Sequence, residues 1–131
     1  MDAAQSLADL IQISSQIRVA VIVDEQGAVA ASTFAGGAAL AEAGGALLAD
    51  AAGLRNGAEP TQLEAATEEG SLFVLRDDGR TIVAATSPRP TVGLVFYDLK
   101  SSLRAVAAKP AKPKPMPKPR APRKKKADDE A

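Results

Sequence analysis

Residues 19–32, VAVIVDEQGAVAAS, and residues 72–87, LFVLRDDGRTIVAATS, share the pattern that decides the fold. Each stretch begins with an apolar run, passes through a pair of acidic residues to a glycine, and ends in a second apolar run. Residues 19–23 and 72–76 are apolar on both alternating sides, which is typical of strands covered on both faces of a sheet. Gly27 supplies the positive φ that a tight turn needs. The pattern predicts two antiparallel hairpins in the middle of one sheet.

Three further segments have the apolar spacing of helices. The first has Asp2 and Gln5 as a capping pair and an apolar stripe of Leu7, Leu10, Ile11, Ser14 and Ile17. The longest predicted helix covers residues 38–56 with Gly57 at its C-cap, and its core stripe is Leu40, Gly44, Leu47, Leu48, Ala51 and Leu54. The last follows Thr91 as N-cap, with a stripe of Val92, Phe96, Leu99, Leu103 and Val106.

Residues 62–68, QLEAATE, alternate apolar and polar positions and predict an edge strand. The predicted order is therefore α-β-β-α-β-β-β-α. One five-stranded antiparallel sheet with helices on both faces buries every apolar stripe. The predicted fold class is α+β, sandwich-like and profilin-like in its arrangement.

The predicted central helix carries an unbroken row of small residues at intervals of four. This small-residue row consists of Gly37, Ala41, Gly45, Ala49 and Gly53. Interior glycines cost a helix about 1 kcal/mol each relative to alanine, so Gly44 and Gly45 call for a compensating reason. A row of small residues lets another backbone approach closely, which favours packing against a second helix; drift in an alanine-rich chain is the alternative.

The composition excludes several kinds of catalytic and metal site. The 131 residues include no Cys, His or Trp, so serine–histidine catalysis, thiolate chemistry and the usual zinc sites cannot be assembled. The glycine pairs of residues 35–48 match neither the dinucleotide fingerprint nor the phosphate-binding loop of nucleotide hydrolases. We expect no cofactor, no metal and no enzymatic activity. The sequence has no segment typical of a signal peptide or membrane span, so a cytoplasmic location is expected.

Three acidic pairs are candidates for catalytic carboxylates or metal ligands. They are Asp24-Glu25, Glu68-Glu69 and Asp77-Asp78, and each precedes a glycine. Acidic residues are the ordinary solvated choice in turns, whereas catalytic carboxylates need burial or a neighbouring charge to tune their pKa. We interpret the pairs as turn residues.

The C-terminal part of the chain differs sharply from the rest. Residues 1–104 carry 13 acidic and 7 basic side chains, whereas residues 105–131 carry 9 basic and 3 acidic ones. Residues 109–126, KPAKPKPMPKPRAPRKKK, contain six prolines and predict a disordered basic tail over residues 108–131. Such a tail can contact DNA, RNA or anionic membrane without reading sequence, or can simply solubilise the chain or fold back onto its acidic part. The predicted polyanion contacts are Lys112, Lys114, Lys118, Arg120, Arg123, Lys124, Lys125 and Lys126.

Taken together, residues 7–32, 67–87 and 91–106 resemble the Roadblock (dynein light chain) domain family in the order of their elements. The resemblance covers residues 5–107 and predicts a Roadblock-like domain over residues 1–107. It implies a homodimer in which the central helix and the edge strand meet their counterparts. It also implies a small Ras-like P-loop GTPase as partner, which bacterial members of the family regulate as activating proteins or scaffolds. It implies no catalytic residue; Arg55 is a candidate arginine finger, but a helix C-terminal charge is the simpler interpretation.

The small-residue row and the edge strand together define the predicted dimer or partner interface. It comprises Gly37, Ala41, Gly45, Leu48, Ala49, Ala52, Gly53, Leu63, Ala65 and Thr67. The leading hypothesis is a homodimeric regulator of a small GTPase. The competing one is a dimeric adaptor whose basic tails bind nucleic acid, anionic membrane or an acidic partner.

Overall fold

The computed structural model describes residues 1–107, apart from Arg55 and Glu59. Within that part of the chain, three helices and five strands follow one another in the predicted order, and the α+β class is confirmed. The elements are α1 (Ala3–Ile13), β1 (Ile17–Val23), β2 (Val29–Ser32), α2 (Gly37–Gly53), β3 (Gln62–Thr67), β4 (Gly70–Asp77), β5 (Arg80–Thr86) and α3 (Val92–Ala107). No helix in the described part is long and apolar enough to cross a membrane.

The strands form one antiparallel sheet in the order β2-β1-β5-β4-β3. The pairing of β1 with β5 joins the first hairpin to the three-stranded meander of β3, β4 and β5. Strands β1, β4 and β5 are interior, as predicted. Strand β2 lies at an edge and is largely exposed, so the prediction that both hairpins lie wholly in the middle of the sheet is wrong for this strand. Its partner β1 shields it on one side only.

The acidic pairs of both hairpins lie in or beside the turns, with Asp77 as the last residue of β4. The carboxylate of Asp24 accepts hydrogen bonds from the backbone N–H of Gln26 (2.9 Å) and Ala28 (3.0 Å), which fixes the β1–β2 loop. Asp78 (φ 56°) and Gly79 (φ 82°) form the two-residue β4–β5 loop. Positive φ at both positions is the geometry of a type I′ turn, whose twist matches that of the flanking strands.

Helices α1 and α3 cover one face of the sheet. Asp2 accepts the N–H of Gln5 at 2.8 Å, so the predicted N-cap of α1 is confirmed. The hydroxyl of Ser6 donates to the carbonyl of Ser102 at 2.7 Å, and this buried bond joins the two helices. Beneath them, the rings of Phe73 and Phe96 meet edge to face, with their centroids 5.0 Å apart.

The predicted stripes of these two helices need correction. Helix α1 ends at Ile13, so Ile17 is the first residue of β1 and not part of the helix. In α3 the buried side chains include Val95 and Ser102, whereas Val92 at the helix start is 39% exposed. Val95, one turn after Val92, is the first residue of α3 that packs into the core beneath the helix.

Helix α2 covers the other face. Leu48 packs with Val21, Val74 and Val83 in a second buried cluster. The helix ends earlier than predicted, so Leu54 follows its last residue and is 85% exposed, while Ala52 is buried and Ala51 is half-buried. The C-cap is Leu54, so the prediction of Gly57 at this position is wrong. Gly57 has φ 88° and donates its N–H to the carbonyl of Ala52 at 2.8 Å, in the turn that follows the helix.

Gly44 sets the distance between α2 and the sheet. A Cβ atom at Gly44 would lie 2.5 Å from Cγ2 of Val83, whose side chain is fully buried. Gly45, its neighbour, has nothing within 4 Å of the same position. The two glycines therefore have different explanations: Gly44 allows close helix–sheet packing, and Gly45 serves no contact within the described part of the chain.

We predict opposite effects for alanine at these two positions. Gly44→Ala should lower the free energy of unfolding by about 1–3 kcal/mol, because the new methyl group overpacks a rigid core. Gly45→Ala should raise it by about 0.5–1 kcal/mol, because alanine restricts the unfolded chain and the site is open. Denaturant unfolding of both variants measures the difference, and a Gly44→Ala protein as stable as Gly45→Ala would contradict the packing described here.

Candidate partner interface

The solvent-facing side of α2 carries unusually little polar surface. Its charged residues are Glu42 and Asp50. The other exposed positions of the helix are Ala38, Ala39, Ala43, Gly45, Ala46, Ala49 and Gly53. A surface helix normally places charged and polar residues opposite its core stripe. The outer side of α2 therefore has the composition of a surface that another protein covers.

The small-residue row winds around α2 from the core to the solvent. Gly37 is buried, Ala41 is half-buried, and Gly45, Ala49 and Gly53 are exposed. Positions four apart are offset by about 40° around a helix of 3.6 residues per turn, so the row rotates by about 160° over its length. Only its C-terminal part can contact a partner chain.

The other end of the row serves the chain's own packing. A Cβ atom at Gly37 would clash with the hydroxyl of Ser32. Leu48 and Ala52 also face inward, at 1% and 9% exposure. Of the helical residues predicted for the interface, Gly37, Leu48 and Ala52 thus belong to the core of the chain itself. A Cβ atom at Gly45 or Gly53 would meet nothing within 4 Å, so these positions are open to close approach from outside.

Strand β3 is the edge of the sheet beyond β4, as predicted. Leu63 and Ala65 are half-buried, and they pair with Val74 and Leu72, which belong to the cluster beneath α2. Leu63 and Ala65 therefore lie on the face of the sheet that α2 covers.

Thr67 is exposed, but its side chain is engaged within the β3–β4 turn. Its hydroxyl donates to the carbonyl of Gly70 at 2.7 Å and accepts the N–H of Glu69 at 3.2 Å. The third predicted edge residue is therefore held by its own turn.

The backbone of β3 shows which groups remain open at the edge. The N–H of Arg76 donates to the carbonyl of Thr61 at 2.8 Å, so the main-chain groups of Thr61 point toward β4. Because main-chain groups alternate sides along an antiparallel strand, those of Gln62, Glu64 and Ala66 point away from β4. These three residues would pair with an added strand. The side-chain pattern of the sequence selects Leu63, Ala65 and Thr67. The main-chain groups that are open at the edge belong to the residues that alternate with them.

The turns hold acidic groups close together without forming a metal site. The side chain of Glu25 lies beside Gly79, so the tips of both hairpins are neighbours. Within residues 1–107, leaving aside Arg55 and Glu59, no three acidic side chains are grouped so that they could hold a metal ion. Arg55 itself, the candidate arginine finger, lies outside the described residues.

The predicted polyanion contacts of the basic tail also lie outside the described residues. They are Lys112, Lys114, Lys118, Arg120, Arg123, Lys124, Lys125 and Lys126.

Comparison with known proteins identifies the fold. No protein-family model matches the chain, and no curated protein matches it in sequence. A Roadblock/LC7 domain from Streptomyces avermitilis is similar in structure, with a TM-score of 0.69 at 17% identity, over 82% of this chain and 96% of that one. MglB from Myxococcus xanthus has a TM-score of 0.63 at 20% identity, over 80% and 92% of the two chains.

A third similar structure is the gliding protein MglB from Thermus thermophilus. Its TM-score is 0.61 at 20% identity, over 80% of this chain and 85% of that one. The chain therefore has the fold of Roadblock/LC7 domains, and the resemblance drawn from the sequence is confirmed at the level of the fold.

The open position at Gly45 predicts the effect of a bulky residue there. Gly45→Leu should leave the monomer folded, because a Cβ atom at this position meets nothing within 4 Å and the site is exposed. It should weaken the predicted dimer by keeping two α2 helices from packing closely. Light scattering across protein concentration measures the mass. Ala43→Leu is the matched control, because Ala43 is also exposed and lies on the other flank of α2. A wild-type protein that is monomeric at high concentration would contradict the prediction.

The outward main-chain groups of β3 give a second prediction. Ala66→Pro removes an N–H that points to solvent, which an edge strand tolerates, but it blocks pairing with another strand. We expect a melting temperature close to that of wild type together with loss of the predicted dimer. Ala66→Val keeps the N–H and should keep the dimer. If Ala66→Pro dimerises as well as Ala66→Val, strand pairing at β3 plays no part in association.

Proposed function

We propose that the protein is a homodimeric regulator or scaffold of a small Ras-like GTPase, acting through binding and without a catalytic residue of its own. The observation that carries the proposal is that the outer side of α2 and the edge of β3 are both uncovered in the described part of a Roadblock fold. The Roadblock resemblance implies a dimer at these two elements and a GTPase as partner.

The physical features of this surface suit protein association better than catalysis. Exposed Gly45, Ala49 and Gly53 allow two helices to pack with their backbones close together. The edge of β3 supplies unpaired main-chain groups that another strand can satisfy. Solved structures of MglB share this fold, and one of them, at 20% identity and a TM-score of 0.62, has a tetrameric arrangement. Association between copies is therefore a reasonable use of the same surface here.

The GTPase itself would meet the assembled dimer, and its nucleotide state would decide the strength of binding. A regulator of this kind stabilises one arrangement of the switch segments, and its effect is limited by its difference in affinity for the two nucleotide states. The proposal covers either direction: faster hydrolysis, as an activating protein, or retention of one state, as a scaffold.

The test uses the full chain with a small Ras-like GTPase from the same organism. Loaded with GDP or with a non-hydrolysable GTP analogue, the GTPase should form a complex with the dimer in one state in preference to the other. Gly45→Leu should weaken that complex in parallel with the dimer, whereas Ala43→Leu should not. Absence of a complex in both nucleotide states, for every small GTPase of the organism, would refute the proposal.

A second candidate function rests on the charge of the tail. With 9 basic residues between positions 109 and 126, the tails of a dimer could hold nucleic acid, anionic membrane or an acidic protein. Deleting residues 108–131 separates the two candidates. A GTPase regulator keeps its effect on the GTPase, while an adaptor loses its partner.

A further inference from the structure

Helices α1 and α3 leave an apolar groove between them, on the face of the molecule opposite α2. The groove has a volume of about 290 Å³. Leu10 forms part of its floor, and Ile13 and Tyr97 stand along it at 73% and 69% exposure. Exposed apolar side chains that cluster around a groove mark interaction sites, whereas singly scattered ones need no explanation. Neither the proposed dimer surface nor the sheet uses this groove.

The groove is lined by negatively charged side chains. Asp9 of α1 and Asp98 of α3 both contribute to its lining, and the described lining residues include no lysine or arginine. The guanidinium of Arg104 in α3 is engaged elsewhere, since it binds the carboxylate of Asp77 at 3.1 Å, beside the β4–β5 turn. An occupant with positive charges would therefore meet the carboxylates of Asp9 and Asp98. Asp9 also accepts a hydrogen bond from Nε2 of Gln5 at 3.0 Å, and Met1, with the N-terminal amino group, belongs to the same lining.

The chain's own tail has the matching chemistry. Residues 109–126 combine six prolines with nine basic side chains and no acidic one. Proline-rich segments favour polyproline II, a conformation already extended before binding, and they dock in grooves lined by aromatic side chains. Tyr97 is the only tyrosine of the chain and is the aromatic side chain that this groove presents. Lysine side chains between the prolines would face the carboxylates.

The tail also begins in the right place. Helix α3 ends at Ala107, and Ala105 already lines the groove. Going back from Ala107 to Tyr97 along the helix covers about 15 Å. A polyproline II segment advances by about 3.1 Å per residue, so about five residues span that distance. Residues 109–126 are more than long enough to turn back and lie along the groove.

We propose that residues 109–126 bind in the α1/α3 groove of their own chain, with prolines against Tyr97 and Ile13 and basic side chains near Asp9 and Asp98. The contact places the tail on the side of the domain opposite the α2 surface. A polyanion that binds the tail must first displace it from the groove, so the contact would limit nonspecific binding. The contact does not depend on the proposed GTPase function.

The absence of cysteine makes a direct measurement possible. A nitroxide attached to Ala121→Cys in the full chain broadens the NMR signals of nearby amides. We expect the strongest broadening at Ile13, Tyr97 and Ser101, and a reduction of at least about twofold in 1 M salt, where the Debye length falls to about 3 Å. The observed chain carries both the isotope label and the nitroxide. Diluting it tenfold with chain that carries neither label should leave the broadening unchanged, because the contact is within one chain.

Matched charge variants separate the groove from general attraction. Asp9→Asn with Asp98→Asn should reduce the broadening at the groove at least about twofold. Glu42→Gln with Asp50→Asn removes the same charge from α2 and should leave it unchanged. Equal loss in both double variants, or broadening that is strongest at Glu64 and the β3–β4 turn, would overturn the proposal.

The aromatic contact has its own test. Tyr97→Ala removes the ring from an exposed position, so the fold should remain intact, and the broadening at Ile13 should fall by at least about twofold. Tyr97→Phe keeps the ring and should retain the broadening. If Tyr97→Ala leaves it unchanged, the groove does not bind the tail as proposed.

Discussion

The pairing of β1 with β5 is the interaction on which the rest of the structure depends. It joins two hairpins that are far apart in the chain, and it brings Val21 opposite Val83 and Ile22 opposite Ile82, all fully buried. Because successive side chains point to opposite faces of a strand, the valines face α2 and the isoleucines face α1 and α3. One ladder thus supplies the centre of both cores and obliges helices to cover both faces.

The position of α2 follows from that ladder. Val83 is fully buried, and Gly44 is the position where the helix comes close to it. The inner side of the helix is buried against the sheet, and the outer side consists mostly of alanine and glycine. The same rotation that carries the small-residue row out of the core brings Gly45, Ala49 and Gly53 into solvent. One side of α2 therefore packs in the core and the other forms the proposed dimer surface.

The opposite face has a different design. Helices α1 and α3 are joined by the buried Ser6–Ser102 hydrogen bond, which satisfies two hydroxyl-bearing residues where two helices meet. Both serines belong to the lining of the groove between the two helices. Tyr97 is exposed in the same groove. The molecule thus presents two uncovered surfaces of unlike chemistry: small and nearly uncharged on α2, aromatic and acidic between α1 and α3. Such surfaces suit different partners.

The sequence by itself determined the order of elements, the interior strands and the turn role of the acidic pairs, because local periodicity and turn chemistry depend on near neighbours. It also identified the edge strand β3. Only the tertiary structure decided that β2 is an edge, since strand order depends on long-range pairing between β1 and β5. The tertiary structure also decided which glycine faces the core. Gly44 and Gly45 are adjacent identical residues, and only the contact of Gly44 with Val83 distinguishes them. The groove between α1 and α3 arises from two segments separated by most of the domain, which no local pattern describes.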